Sequence, residues 1–336
     1  MIAATHWQLH RATGLPIYAI EEERLEQRYD KRMREIIHRL DPDRSARLAL
    51  VGAAEAVDRA GWREKSFPIL VGSSRGPTES WERAFTTFAT GSPLPPSTSP
   101  RTTLGSPAFL LAHYFGSHAL TDGLSVTCSS GFHALLHGVA LLRAGMAERV
   151  LVGGAEAPLT DFTLQQMAAL GVYAKPPARP DQPACLPFVR PATGMALGEG
   201  AGFLALERTK LTDNRLHLLG LGFARETGRG RTGITPEGDA LTAAMTTAIA
   251  EAKSRPALVV PHAPGTSRGD AAELAALTRV FGAELPELQS YKSTTGHTFG
   301  ASGPIALVQA SRHTETESVL VNATGFGGNA ISVIAG

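Results

Sequence analysis

Residues 124–157 constrain this chain most. LSVTC (124–128) alternates like a strand, and SSGFHALLHGVALLRAG (129–145) reads as a helix with a glycine stop. VLVGGAEA (150–157) is an apolar strand running into a Gly turn. A strand–helix–strand unit predicts parallel pairing through a right-handed crossover. The rest of the chain keeps the same alternation. Helices are expected over 21–40, 44–61, 107–116, 238–253 and 269–282. Strands are expected at 67–73 and 257–266, in FLALER (203–208) and RLHLLGLGFA (215–224) as a possible hairpin, and as a pair joined by a Gly-rich turn over 318–336. Residues 91–107 and 176–185 read as loops. The class is therefore α/β. A duplication of two similar halves is compatible with this order, but the sequence alone does not display one.

Composition narrows the function. Of 336 residues, 43% are hydrophobic and 19% charged, a balance that suits a well-buried chain and excludes disorder. The 32 basic and 31 acidic residues leave a formal charge of +1, without the global basic footprint of a nucleic-acid binder. The two cysteines, Cys128 and Cys185, cannot build a disulfide framework or a Cys-rich zinc site, which points to a reducing, cytoplasmic setting. The N-terminal MIAATHWQLHRATG lacks the pattern of a signal peptide, and no apolar run is long enough for a membrane span. GEGAG (198–202) and GFGGN (325–329) do not form the strand–GxGxxG–helix pattern, so no nucleotide cofactor is expected. Close backbone packing, or N–H groups aimed at an oxyanion, suits them better.

Chemistry concentrates at three places. Cys128 stands where a strand hands over to a helix, followed by the small Ser129, Ser130 and Gly131. A helix N-terminus favours the thiolate, the nucleophilic form. Taken alone, the residue fits an inert buried thiol or a nucleophile about equally well. His262 ends an apolar strand and opens PHAPGTSRGD, while His297 lies in KSTTGHTFGASG with Lys292 five residues earlier. Loops after strands are where α/β sheets place ligands. His133 and His137 share a helix face at i and i+4, but no Glu follows the first and no third ligand is evident. They read as packed or hydrogen-bonded histidines, and no metal is expected.

Taken together, TCSSGFHALLH (127–137), GGAEA (153–157), PF…G…GEGAG (187–202), HAPGTSRGDAAE (262–273) and KSTTGHTFGASG (292–303) with GFGGN resemble the β-ketoacyl-acyl-carrier-protein synthases of the thiolase superfamily, especially type II elongating enzymes and polyketide ketosynthases. The resemblance runs from about residue 40 to the end. It implies a thiolase-like five-layered αβαβα fold with two similar halves, 1–208 and 209–336, in one catalytic unit. It also implies a dimer, either a homodimer or a heterodimer with another ketosynthase-like subunit, and an acyl carrier protein as partner.

On this resemblance Cys128, His262 and His297 form the catalytic triad, Lys292 orders the histidines, and Glu273 is the loop acid. The N–H groups of Cys128 and Phe326 make the oxyanion hole, Phe326 doubles as a gate, and Glu156 and Glu199 support the site. The implied reaction is decarboxylative condensation of an acyl group on Cys128 with malonyl-carrier. Two histidines, rather than His and Asn, favour elongation over initiation. The resemblance leaves two other roles open: a structural or chain-length-setting partner subunit, and an acyltransferase or thioesterase-like variant. The chain departs from the family in HAPGT, where Ala263 and Pro264 stand for Gly and Thr. It departs further in the loop before GEGAG, in GFGGN, and in a shortened N-terminus whose first strand is expected to be missing or much altered.

Overall fold

Strand residues of this chain split between two cores by simple alternation. Ile69 and Val71 face one cluster while Leu70 faces another; Leu151 opposes Val150 and Val152, and Leu320 opposes Val319 and Val321. A strand apolar on both faces must be covered on both sides. The computed structural model, which describes residues 1–63, 66–208, 216–227, 233–312 and 318–336, shows how.

The first half runs β1 (Ile2–Ala3), β2 (Gln8–Leu9), β3 (Pro16–Tyr18), α1 (Glu22–Glu26), α2 (Lys31–Leu40), α3 (Arg44–Ala60), β4 (Ile69–Gly72) and α4 (Thr78–Ala89). It continues through α5 (Thr98–Thr102), α6 (Ser106–Phe115), β5 (Thr121–Leu124), α7 (Ser130–Arg143), β6 (Arg149–Glu156), α8 (Asp161–Ala168), β7 (Leu197–Gly198) and β8 (Gly200–Glu207). The second half runs β9 (Leu218–Arg225), α9 (Asp239–Ala252), β10 (Leu258–Val260), α10 (Ser267–Phe281), β11 (Glu287–Leu288) and α11 (Lys292–Thr295). It ends with a 3-10 turn at Phe299–Ala301, α12 (Ser302–Ala310), β12 (Val319–Gly325) and β13 (Asn329–Ala335).

Two five-stranded sheets have the orders β1-β8-β6-β4-β5 and β9-β13-β12-β10-β11. In each, three strands are parallel (β6-β4-β5 and β12-β10-β11) and the other two pair antiparallel beside them. Numbered along the chain, both sheets read 1-5-4-2-3, so the structure displays the duplication that the sequence conceals. α7 and α12 fill the central layer between the sheets, where Phe132, Leu135 and Leu307 pack with Leu70, Val152, Val260 and Val321. α3 and α6 cover the outer face of the first sheet, and α9 and α10 that of the second. The result is the expected five-layered αβαβα stack. A small third sheet has the order β2-β3-β7.

Several expectations change. The helix expected over 21–40 breaks at Gln27–Asp30, because Asp30 caps α2 by accepting from the Met33 N–H at 2.7 Å. The strand expected at 124–128 ends at Leu124, and the rest becomes a turn. β5 and β6 are parallel as expected, but β4 sits between them. FLALER and RLHLLGLGFA form no hairpin: β8 belongs to the first sheet and β9 to the second, and Arg215 lies outside the described residues, as do residues 209–215 at the expected boundary between halves. The loop at 91–107 contains α5. The first strand is not missing: β1 pairs antiparallel with β8, Ile2 opposite Ala201, reduced to two residues. Among the described residues no helix is long and apolar enough to cross a membrane.

Candidate active site

Cys128 lies in a strained turn. Thr127 adopts φ 51°, an uncommon left-handed conformation for a β-branched residue. Local side chains hold it: the Ser130 hydroxyl donates to the Thr127 carbonyl and accepts from the Val126 N–H at 2.8 Å, and the Ser129 hydroxyl donates to the Val126 carbonyl at 2.8 Å. α7 then begins at Ser130. The GFGGN hairpin closes over this turn. The Thr127 hydroxyl donates to the Phe326 carbonyl at 3.3 Å, and a Cβ on Gly325 would stand 2.1 Å from the Thr127 hydroxyl, so only glycine fits there. Phe326 itself is half-exposed beside this turn.

His262 and His297 arrive from the other half. Their rings meet edge to face with centroids 5.1 Å apart, and both are buried. Two acids on α10 hold the His262 loop. Glu273 accepts from the N–H groups of His262 (2.9 Å) and Ala263 (2.5 Å), and Asp270 accepts from those of Gly265 (2.9 Å) and Phe188 (2.8 Å). Pro264 offers no N–H, and the acids hold the residues on either side of it. Glu273 is fixed in turn by the Asn322 amide at 3.0 Å, and Asn322 by the Ser332 hydroxyl at 2.8 Å. His297 is clamped by β7: its N–H donates to Ala196 O at 2.8 Å, and its carbonyl accepts from the Gly198 N–H at 3.1 Å. Its Nδ1 meets the Ser302 hydroxyl at 3.0 Å.

Electrostatics joins these parts. Lys292 is buried, and burial pulls its ammonium below the ordinary value against the fields of Glu273, Cys185, Asp270 and Cys128. Burial likewise pulls His297 down to about 3 and His262 well below 6.5, and Lys292 pushes both the same way. Both imidazoles are neutral at neutral pH. Burial pushes the Cys128 thiol up to about 12, with Glu156 adding to the rise and Arg75 and Lys292 opposing it. This corrects the sequence expectation: desolvation outweighs the helix N-terminus, and the resting side chain is a thiol. All four residues are buried, the two histidine rings meet, and Lys292 acts on Cys128 and on both histidines, so they form one electrostatic cluster.

A profile of the beta-ketoacyl synthase N-terminal domain matches residues 4–211, and one of its C-terminal domain matches residues 218–323. The chain belongs to the beta-ketoacyl synthase family. Nodulation protein E of Rhizobium leguminosarum bv. trifolii is 28% identical over 328 residues, covering 92% of this chain and 76% of that protein. Two solved ketosynthase structures share the fold. One is a type II polyketide acyl-carrier protein in complex with its ketosynthase (TM-score 0.83, 18% identity, 99% of this chain and 92% of that one). The other is the ishigamide ketosynthase/chain length factor (TM-score 0.80, 20% identity, 96% and 87%).

The two remaining expected acids of this ketosynthase-family chain occupy different surroundings. Glu156, fully buried at the end of β6, accepts from the backbone N–H of Ser74 and from that of Gly300 at 3.1 Å, tying the loop after β4 to the His297 turn. Glu199 makes a two-pronged pair with Arg44 (both 2.7 Å) and accepts from Ile20 N–H at 2.8 Å. It anchors β7 from behind and makes no contact with the cluster. His133 hydrogen-bonds the Ser129 carbonyl at 3.1 Å. Among the described residues no three His, Cys, Asp or Glu side chains group as metal ligands. Sequence reasoning missed Asp270, Asn322, Ser302 and Arg75. For Asp270 there was a signal, an acid three positions before Glu273 on one helix face.

Proposed function

We propose that this chain is a decarboxylating β-ketoacyl-carrier synthase whose two halves, 1–208 and 209–336, form one catalytic unit. The observation that carries the reading is the buried Cys128–His262–His297–Lys292 cluster with both imidazoles neutral. Cys128 Sγ attacks the carbonyl of an acyl-carrier thioester; the bond to the carrier sulfur breaks, and the thiol proton leaves on the departing thiolate. The N–H groups of Cys128 and Phe326 receive the charge on the carbonyl oxygen. Malonyl-carrier then binds against the histidines and loses carbon dioxide, and the enolate oxygen accepts hydrogen bonds from their N–H groups. The carbanion attacks the acyl-Cys128 carbonyl, the C–Sγ bond breaks with its electron pair going to Sγ, the released Cys128 thiolate takes up one proton from solvent to restore the thiol, and the β-ketoacyl chain stays on the carrier. A His297 Nδ1 that accepts from the Ser302 hydroxyl leaves Nε2–H as the donor this step needs. The buried Lys292 cation keeps the imidazoles unprotonated, so they stay hydrogen-bond donors of fixed tautomer rather than acids.

No cofactor enters the scheme. Its partners are an acyl carrier protein and a second ketosynthase-like subunit, in line with the carrier complex and the chain length factor named for the structural neighbours. For the subunit contact, β5 is an edge strand of the first sheet, and α4 exposes Trp81, Phe85 and Phe88 at helical spacing. That open apolar face also supports a second reading, in which the chain serves a ketosynthase chiefly as its partner. Intact-protein mass spectrometry after incubation with acyl-carrier thioester separates the two. An acyl adduct on the wild type and none on Cys128→Ala supports catalysis. No adduct on either, with pathway output unchanged in Cys128→Ala, supports the partner role.

A further inference from the structure

Arg75 lies in the loop between β4 and α4, a stretch that borders the nucleophile on two counts. The Ser74 carbonyl accepts from the Ser125 hydroxyl at 3.4 Å, and a Cβ on the neighbouring Gly72 would strike the Ser130 backbone at 2.3 Å. The guanidinium stacks over the Phe299 ring at 5.5 Å, and Phe299 lies 5.5 Å from the His297 ring. Its other contacts are Gln166 Oε1 at 3.0 Å and Met167 Sδ at 3.9 Å. Met167 and Phe299 both pack in the small apolar cluster that holds Cys128 with Ile17, Leu164, Met195 and Leu197. The partners of the guanidinium are thus Gln166, Met167 and the Phe299 ring, with no carboxylate ion pair among the described residues, and its charge acts on the Cys128 sulfur.

An acyl group on Cys128 that runs along Phe299 and Met167 therefore meets a half-buried guanidinium without a carboxylate. A saturated chain pressed against it strips its water and returns no acceptor. A chain carrying an oxygen atom there supplies a charge-assisted hydrogen bond. We infer that Arg75 is a specificity residue that selects oxygenated acyl groups over saturated chains of equal length at Cys128. The inference rests on the acyl-Cys128 reading above and deepens it: the substrate class is the partly oxidised intermediate of a polyketide-type chain rather than a fully reduced fatty acyl chain.

The test offers octanoyl- and 3-oxooctanoyl-N-acetylcysteamine thioesters in competition to the full chain. The initial rate of each adduct on Cys128 is read by intact mass, for the wild type, Arg75→Lys and Arg75→Met. The wild type is expected to favour the 3-oxo group by roughly tenfold or more. Arg75→Met, which keeps length and drops charge, should lose that preference, and Arg75→Lys should keep part of it. A wild-type ratio near one, or one favouring octanoyl, overturns the inference whatever the variants do. A ratio that survives in Arg75→Met overturns it too. Adducts with the wrong ratio leave the acyl-Cys128 reading standing, whereas no adduct from either thioester overturns that reading and this inference with it.

Discussion

Glu156→Gln should stabilise this chain at alkaline pH and leave it unchanged in acid. Glu156 is fully buried, and desolvation pushes its carboxyl up from 4.5 to about 7 despite the donors around it. Its Oε2 has no hydrogen-bond partner, so ionisation leaves a charge that the site only half satisfies. Because the folded value lies above the unfolded one, the native state holds its proton longer. Stability is therefore complete below about 4.5 and falls as pH rises, until the folded group also ionises near 7. The rise from 4.5 to about 7 corresponds to about 3 kcal/mol. Glutamine mimics the protonated acid and keeps an acceptor for Ser74 and Gly300. Urea unfolding at a series of pH values should show the two proteins converging in acid. Near pH 8 the variant should lead by about 3 kcal/mol, a few degrees in Tm. Parallel curves for the two proteins would falsify the assignment of a strained, buried carboxylate. The same variant removes a negative field from Cys128 and should speed its alkylation.

Four further outcomes follow from the site. With its thiol pushed to about 12 from 9, Cys128 should hold roughly a thousandfold less thiolate than a free cysteine at pH 8, so iodoacetamide modification is slow and accelerates with pH. With His297 down at about 3 and His262 well below 6.5, the condensation rate should show no acid limb near 6.5 and should fall only at pH well below it; a limb at 6.5 contradicts the neutral-donor role. A Cβ on Gly198 would stand 1.9 Å from the Thr295 carbonyl, so Gly198→Ala should displace the turn that carries His297, cost about 3 kcal/mol or more in denaturant unfolding, and abolish condensation. Glu199→Ala strips the two-pronged partner from the largely buried Arg44, which keeps Glu22 and the Ile20 carbonyl, and removes an acceptor from the Ile20 N–H; it should cost about 1–3 kcal/mol without touching the cluster directly.

What was legible in the sequence was local. Cys128 before small residues, and His262 on the loop after β10, carry their context within a dozen residues; His297 was expected on a loop after a strand, but α11 (Lys292–Thr295) precedes it. The duplication was not legible, because two sheets can share strand order and direction while sharing little side-chain pattern. Nor were the supports of the site, which join distant segments. The Ser332–Asn322–Glu273 relay joins residues from two strands and a helix, and Glu156 holds Ser74 and Gly300 together. The thiolate expectation failed for the same reason. A helix N-terminus can be read from neighbours in sequence, whereas desolvation depends on every layer packed around the sulfur. Asp30 split a continuous helical pattern because a cap on one residue outweighed the periodicity on either side.

The most direct test of the account is a single-turnover chase. The wild-type chain is acylated on Cys128, freed of excess thioester, and mixed with malonyl-acyl carrier protein, while both proteins are followed by intact mass. The account predicts that the adduct leaves Cys128 as a β-ketoacyl chain two carbons longer appears on the carrier. An adduct that instead persists beside unchanged malonyl-carrier, or leaves as the free acid, contradicts it.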